Sequence, residues 1–259
     1  MIHPTAIVSD DAKVGDDVFI GPYSIIEKNV ELKKGVKIDA HAIIRSGSVL
    51  EDLVKVDSFA VIGGPPQDLS FDEKICSGVR VGKETVIREG VTIHRSTRAG
   101  GYTIIGDNCL LMGCSHIAHD CHFGNRVILA NGAMFAGHAS VGDDCFVGGS
   151  AVFHQFIRIG EGAMIGGNAS ISKDVPPFVM ATERNLVFGL NLVGLKRRGF
   201  KTETIKDLKN CYNQAYQVYQ SPKRWSLDSN SDVPNTSEGL RFKTFFEKGD
   251  RGFVEPRDK

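Results

Sequence analysis

In the stretch Val14-Gly15-Asp16-Asp17-Val18-Phe19-Ile20-Gly21-Pro22-Tyr23-Ser24-Ile25-Ile26, an aliphatic residue returns at every sixth position. Read outward, the same phase takes in Ile2, Val8, Val14, Ile20, Ile26, Leu32, Ile38, Ile44, Leu50, Val56 and Ile62. Four residues after each anchor stands a small or β-branched residue, such as Ala6, Val18, Ser24 or Ala42. A period of six fits neither the 3.6 of an amphipathic helix nor the 2 of an alternating strand. It is the hexapeptide signature of a parallel β-helix. Each hexapeptide gives one short strand with its anchor pointing inward, and three strands close a triangular coil of about eighteen residues.

The phase breaks at Gly63-Gly64-Pro65-Pro66-Gln67-Asp68 and is expected to resume at Ile75, Val81, Ile87 and Ile93. A second interruption spans Ser96 to Tyr102. Twelve anchors then run without a gap, from Ile105, Leu111 and Ile117 to Ile159, Ile165 and Ile171. The repeat predicts a domain over residues 1–180 of about ten coils, with inserted loops near 64–74 and 96–102. Pro176-Pro177, which cannot donate to a ladder, should end it.

Beyond residue 180 the pattern turns helical. Ile205, Leu208, Tyr212, Ala215/Tyr216 and Tyr219 form an apolar stripe of helical spacing, with Thr202-Glu203 at its start. Residues 223–236 are polar and read as a loop. A second short helix over 237–248 would present Leu240, Phe242, Phe245 and Phe246, and the last ten residues should fray. The expected architecture is thus an all-β parallel β-helix followed by a small α-helical domain over 181–259.

Charge is balanced at 31 basic and 31 acidic residues, so no global field favours nucleic acid or a membrane surface. The balance is local, however: residues 181–259 carry 15 Lys+Arg against 10 Asp+Glu, which suits an acidic partner. No apolar run reaches the roughly 18 residues of a membrane span, and the N-terminal residues lack a signal-peptide pattern. The expectation is a cytoplasmic protein with no stable membrane insertion and reduced cysteines. Cys109, Cys121 and Cys145 fall at the small inward position, as core thiols.

Six of the eight histidines lie between residues 94 and 154. Eighteen residues climb one coil, so His119, His138 and His154 are expected along one edge of the prism, with Asp120 beside the first. Two chemistries use such a cluster. One is a metal site of the zinc carbonic anhydrase kind, built on the same sort of β-helix, but the position five residues after His116 is Cys121 rather than histidine. The other is general base catalysis, with a carboxylate orienting the far ring nitrogen; Asp120 could serve His119.

His116-Ile117-Ala118-His119-Asp120, Ala136-Gly137-His138, His154-Gln155-Phe156, Asp174-Val175-Pro176-Pro177 and Gly194-Leu195-Lys196-Arg197-Arg198-Gly199-Phe200 resemble the UDP-N-acetylglucosamine acyltransferases of lipid A biosynthesis over nearly the whole chain. The resemblance implies a left-handed coil and a homotrimer with sites between subunits. It implies transfer of a (3R)-hydroxyacyl chain from acyl carrier protein to the 3-position of the UDP-sugar. Neither a metal nor a bound cofactor takes part; the phosphopantetheine belongs to the carrier. By motif, His119 corresponds to the base, Asp120 to its partner and the Gly137 N–H to the oxyanion donor. Gln67, Asp68, His116, His138, His154 and Gln155 correspond to sugar-binding residues. Asn191, Arg197 and Arg198 lie toward the nucleotide and pyrophosphate, and Met164 and Gly167 in the groove that measures acyl length. Three positions depart from the family's usual residues: Ser70 stands in place of a lysine, Val193 of a glutamate, and Arg184 of a chain-length stop that is often histidine. Ser70 leaves the sugar loop less basic, so N-acylation of the 3-amino analogue of UDP-GlcNAc is an alternative.

Overall fold

In the computed structural model, which describes residues 1–257, each hexapeptide contributes a strand of two residues, from Ile7–Val8 and Lys13–Val14 onward. The strands stack in parallel with the expected register, Ile7 beside Ile25 and Val8 beside Ile26. Three sheets result, of nine, eight and eleven strands among the described residues, and they form the faces of a left-handed prism. The first face holds His116–Ile117, Met134–Phe135 and Val152–Phe153; the second His122–Phe123, Ser140–Val141 and Arg158–Ile159; the third Ile128–Leu129, Phe146–Val147 and Met164–Ile165.

The anchors form one continuous dry column: Ile20, Leu32, Ile38, Ile44, Leu111, Ile117 and Ile165 are all buried. Near the histidines three anchors are aromatic, Phe135 stacking on Phe153 at 3.9 Å and meeting Phe123 edge-on at 4.9 Å. Corners are made by residues in the left-handed region, many of them not glycine, among them Tyr23, His41, Asp120 and His138. Such a conformation costs roughly 1–2 kcal/mol per residue, and the ladder bonds on either side over-determine it. Cys109, Cys121 and Cys145 are buried behind the corners as expected, and burial pushes the last two thiols up to about 12.

The two interruptions are absorbed as loops between paired strands: Ile62 pairs with Ile93, and Val81 with Ile105. Ile75 is not the first anchor after the break. It lies in the loop, half-buried, and the ladder resumes with Gly78–Val81. One sequence cannot distinguish a loop isoleucine in phase from an anchor. Pro176 and Pro177 do not end the sheet either. They lie before and in a turn where no ladder N–H is needed, and the third face gains a further strand, Val179–Thr182, which pairs with Met164–Ile165. A hairpin to Leu186–Leu190 and a short strand Glu255–Pro256 then extend it, so the sheet runs across residue 180.

Four helices follow: α1 (Leu192–Arg197), α2 (Thr202–Asn213), α3 (Pro222–Leu227) and α4 (Ser237–Thr244). The apolar stripe continues α2 through a π-helical turn, Gln214–Val218, which buries Ala215 and Tyr216. Helix α3 occupies the stretch read as a loop. Its start signal is in the sequence, since Ser221 caps Arg224 N–H and Pro222 sits at the first helical position, while Trp225 supplies the buried face. In α4, Phe242 is buried and Leu240 turns outward, against expectation. The C-terminal segment pairs with the sheet through residue 256 rather than fraying from 250; residues 258 and 259 lie outside the described range. Arg158 pins the helices to the prism. It pairs with buried Asp174 at 2.8 Å, donates to the Phe245 and Lys248 carbonyls, and stacks on the Phe245 ring.

Candidate functional site

The corner between the first and second faces gathers the chemistry, because equivalent positions on successive coils stack there. His138 N–H donates to the His119 carbonyl and Phe156 N–H to the Gly137 carbonyl. His119, Gly137 and Gln155 therefore stack as one column on successive coils at the corner, and Asp120, His138 and Phe156 as the next. The His119 Nδ1 lies 2.8 Å from Asp120 Oδ2. His138 meets the His119 ring edge-on at 5.1 Å, stacks on Phe156 at 4.4 Å, and holds its Nε2 3.8 Å from Asp120 Oδ2.

The Asp120 side chain is largely covered, which opposes its charge, but hydrogen bonds from Ser96, Thr97 and His119 outweigh that and hold the carboxyl down to about 2. The His138 pKa is lowered too, which for an imidazole favours the neutral form: burial is the main cause, the Asp120 charge partly offsets it, and His119 and Arg98 add to the lowering. The carboxylate is thus ionised and His138 tends toward neutral. An imidazole whose Nδ1 is tied to a fixed carboxylate presents Nε2 as a proton acceptor.

Gly137 lies against that imidazole. A Cβ there would stand 2.6 Å from His119 Cε1 and 2.7 Å from Nε2, so no side chain fits. Its N–H makes no hydrogen bond among the described residues. It is a backbone donor beside the base, where an oxyanion could be received.

The other expected residues are distributed as follows. His116, on the first face, bonds Thr92 Oγ1 through Nδ1 at 2.7 Å, and burial lowers its pKa. Gln67 and Asp68 sit on the exposed first insertion, where Asp68 accepts from both the N–H and the hydroxyl of Ser70. Those bonds lower the Asp68 pKa, and the His119 charge contributes, so the loop carries its carboxylate within electrostatic reach of the base. His154 shares the corner but one position earlier than expected. It is exposed, with its Nδ1 near the Gln155 carbonyl, and does not join the His119–Asp120–His138 group. Counting by eighteen from His119 reaches Gln155, which is also exposed.

Met164 and Gly167 lie elsewhere on the prism, on the third face and at its next corner. Asn191 caps α1 through Gly194 N–H and donates to the Gly162 carbonyl; Arg198 pairs with Asp144 at 2.9 Å, and Arg197 is exposed beside it. These residues pack at the corner between the second and third faces. Within one chain, the three expected groups occupy three different parts of the prism.

Sequence reasoning missed Ser96 and Thr97 on the second insertion and Thr103 on the strand that follows it, which hold Asp120. Their pairing with a residue more than fifteen positions away has no local signal. The zinc reading has a geometric basis, since His119, Asp120 and His138 bring donor atoms within 4.8 Å of one another. But Asp120 Oδ2 already accepts from Thr97 N–H, Thr97 Oγ1 and His119, and Oδ1 from Ser96. Two imidazoles remain as ligands among the described residues, fewer than the three protein ligands of a catalytic zinc.

A hexapeptide β-helix bearing a carboxylate-oriented histidine against a backbone N–H, with the Cys121 thiol behind them buried and pushed up to about 12, defines an acyltransferase of the hexapeptide-repeat class. Residues 174–254 match the family described as UDP N-acetylglucosamine O-acyltransferase, domain 2, and residues 138–173 a hexapeptide repeat of succinyl-transferase. The acyl-[acyl-carrier-protein]–UDP-N-acetylglucosamine O-acyltransferase of Thermodesulfovibrio yellowstonii is 43% identical over 97% of this chain and 98% of its own. That of Thiobacillus denitrificans is 43% identical over 98% of each chain. Among solved structures, the UDP-N-acetylglucosamine acyltransferase of Bacteroides fragilis superposes with a TM-score of 0.93 at 36% identity, covering 98% of this chain and all of its own. The chain belongs to the UDP-N-acetylglucosamine O-acyltransferase family.

Proposed function

We propose that this protein transfers a (3R)-hydroxyacyl chain from acyl carrier protein to the 3-hydroxyl of UDP-N-acetylglucosamine, the first step of lipid A biosynthesis. The observation that carries the reading is the His119–Asp120 pair set against the Gly137 N–H. His119 Nε2 takes the proton of the 3-hydroxyl as its oxygen attacks the thioester carbonyl carbon. The Gly137 N–H receives the oxyanion. Collapse expels the pantetheine thiolate, which recovers the proton from the His119 imidazolium. Both substrates bring their own reactive groups, so neither a metal nor a resident cofactor is required.

The relatives are named O-acyltransferases, which favours the hydroxyl over the amine as acceptor. Ser70, from which the amine alternative arose, bonds Asp68 on its own loop. The enzyme works as a cytoplasmic homotrimer in this reading. Supporting the trimer, Met164 and Gly167, Asn191 with Arg198, and His119 lie apart on one chain, and a neighbouring copy can bring such regions together. Half-exposed Met134 and Val152 on the first face, and fully exposed Leu69 at a loop tip, offer apolar surface for the contact. No helix among the described residues is long and apolar enough to cross a membrane.

The test is single turnover with acyl carrier protein thioesters and both UDP-sugars. His119→Ala should lower the rate by about 10²–10⁴, with the fold intact by circular dichroism; retention of a tenth of wild-type activity removes His119 from the role.

A further inference from the structure

The second insertion touches both halves of the site. Buried Ser96 donates from Oγ to Asp120 Oδ1, and Thr97 donates from its N–H and Oγ1 to Oδ2 at 3.1 and 2.7 Å. Thr103 Oγ1 accepts the Asp120 N–H at 2.8 Å. The Ser96 carbonyl accepts from Ser77 Oγ on the first insertion. The Arg95 guanidinium donates to the carbonyls of Ile75 and Glu73 and lies over the Phe71 ring at 4.9 Å. The segment Arg95-Ser96-Thr97 is therefore bonded both to the loop that carries Gln67 and Asp68 and to the carboxylate behind the base.

We infer that Ser96 and Thr97 are positioning residues for acyl transfer, acting through Asp120, and that Arg95 holds the acceptor-binding loop in register with them. The inference rests on His119 being the base. Asp120 stands at a left-handed corner with φ 59°, and its bond to His119 alone would leave the carboxylate free to turn about χ2. The three donors from the segment fix the carboxylate plane, so that Oδ2 meets Nδ1 and Nε2 stays against Gly137. Hydrogen bonds to a charged acceptor are the strong ones, which also keeps Asp120 ionised. Arg95, by gripping two loop carbonyls, sets where Asp68 stands relative to that imidazole.

The full-length variants Thr97→Val, Ser96→Ala, the double variant, Thr97→Ser, Arg95→Met and His119→Ala are compared for kcat, KM of UDP-N-acetylglucosamine and melting temperature. Thr97→Val keeps the side-chain shape and loses one charge-assisted bond; kcat should fall about tenfold, with KM changed less than about threefold. The double variant should lose about a hundredfold, and Thr97→Ser, which keeps the hydroxyl, should restore most of the loss. Arg95→Met should raise KM about tenfold with kcat nearly kept. A wild-type kcat in Thr97→Val, or an equal loss in Thr97→Ser, overturns the positioning role. So does a loss that merely tracks the melting temperature. An unchanged KM in Arg95→Met overturns the coupling. If His119→Ala stays active, the base reading falls and this inference with it; if His119→Ala is inactive while Thr97→Val is normal, only the positioning falls.

Discussion

Replacing Gly137 with alanine adds one methyl group at the point where the backbone comes nearest the proposed base. The new Cβ would stand 2.6 Å from His119 Cε1, 2.7 Å from Nε2 and 3.1 Å from Nδ1, all shorter than van der Waals contact. Relief requires a shift of about 1 Å, because packed carbons sit at ~3.5–4.0 Å. The Gly137 backbone is held by the ladder on both sides, through His138 N–H to the His119 carbonyl and Phe156 N–H to its own carbonyl, so the imidazole must move. Moving it stretches the 2.8 Å bond to Asp120 and carries Nε2 away from the N–H it works with. Misplacement by about 1 Å is worth about 10² in rate, and overpacking costs about 1–3 kcal/mol, a fall in melting temperature of roughly 2–12 °C for a chain of this size. Gly149 supplies the control. It holds the equivalent place two residues after an anchor, and its nearest neighbour to an added Cβ is the Asn131 carbonyl oxygen at 3.3 Å, with no imidazole in reach. Steady-state acyl transfer with calorimetry on both variants decides the matter: Gly137→Ala should lose about two orders of magnitude in kcat and Gly149→Ala little. Activity in Gly137→Ala above a tenth of wild type would refute the steric argument.

Burial, followed by the charges of His116 and His119, lowers the His94 pKa from 6.5 to about 4. The unfolded chain binds the proton first, so stability should decline as pH falls from 6.5 to 4, by up to about 3 kcal/mol; His94→Gln should flatten that part of a denaturation-midpoint profile, and an unaltered slope would contradict the assignment. Arg158→Leu strands Asp174, which is 1% exposed, without its partner; the expected loss is about 3–5 kcal/mol, and a melting temperature within 2 °C of wild type, less than ~1 kcal/mol at this size, would show that the clamp does not hold the helices. Neutralising exposed Lys196, Arg197 and Lys201 should raise KM for acyl carrier protein at low ionic strength, with the effect fading as salt screens it; a salt-independent KM would place docking elsewhere.

Much of this molecule is legible in its sequence because the repeat translates position directly into place. Once the anchors are known, the corner of His119 and the burial of Cys121 follow by counting. Legibility fails where counting stops. Ile75 shares the phase by chance, and only the ladder at Gly78–Val81 shows otherwise. Pro176-Pro177 looks like a terminator because proline is barred from ladders, yet the chain needs no donor at that turn. Counting from His119 puts Gln155, not His154, in its column, a one-residue offset that makes the ring stack a pair of imidazoles with a phenyl ring instead of three imidazoles. Ser96 and Thr97 were invisible as partners of Asp120 because the loop that brings them there carries no periodicity. In α3, Ser221-Pro222 was a readable signal, masked by the polarity of the residues after Leu227.

The two ends of the column differ. At the C-terminal end the hairpin and helices cover the last coil, and Phe178, Val187 and Leu195 are buried. At the N-terminal end the anchors Ile2 and Val14 stay exposed. In a one-dimensional array each coil is stabilised mainly by its neighbours, so the first coil has half the support of those inside. Opening should begin there and travel toward the site like a zipper, and amide exchange should slow progressively from the first coils to those around His119. The base therefore sits deep in the lattice, five coils from the fraying end, and the open first coil can loosen or re-form without disturbing the geometry on which catalysis depends.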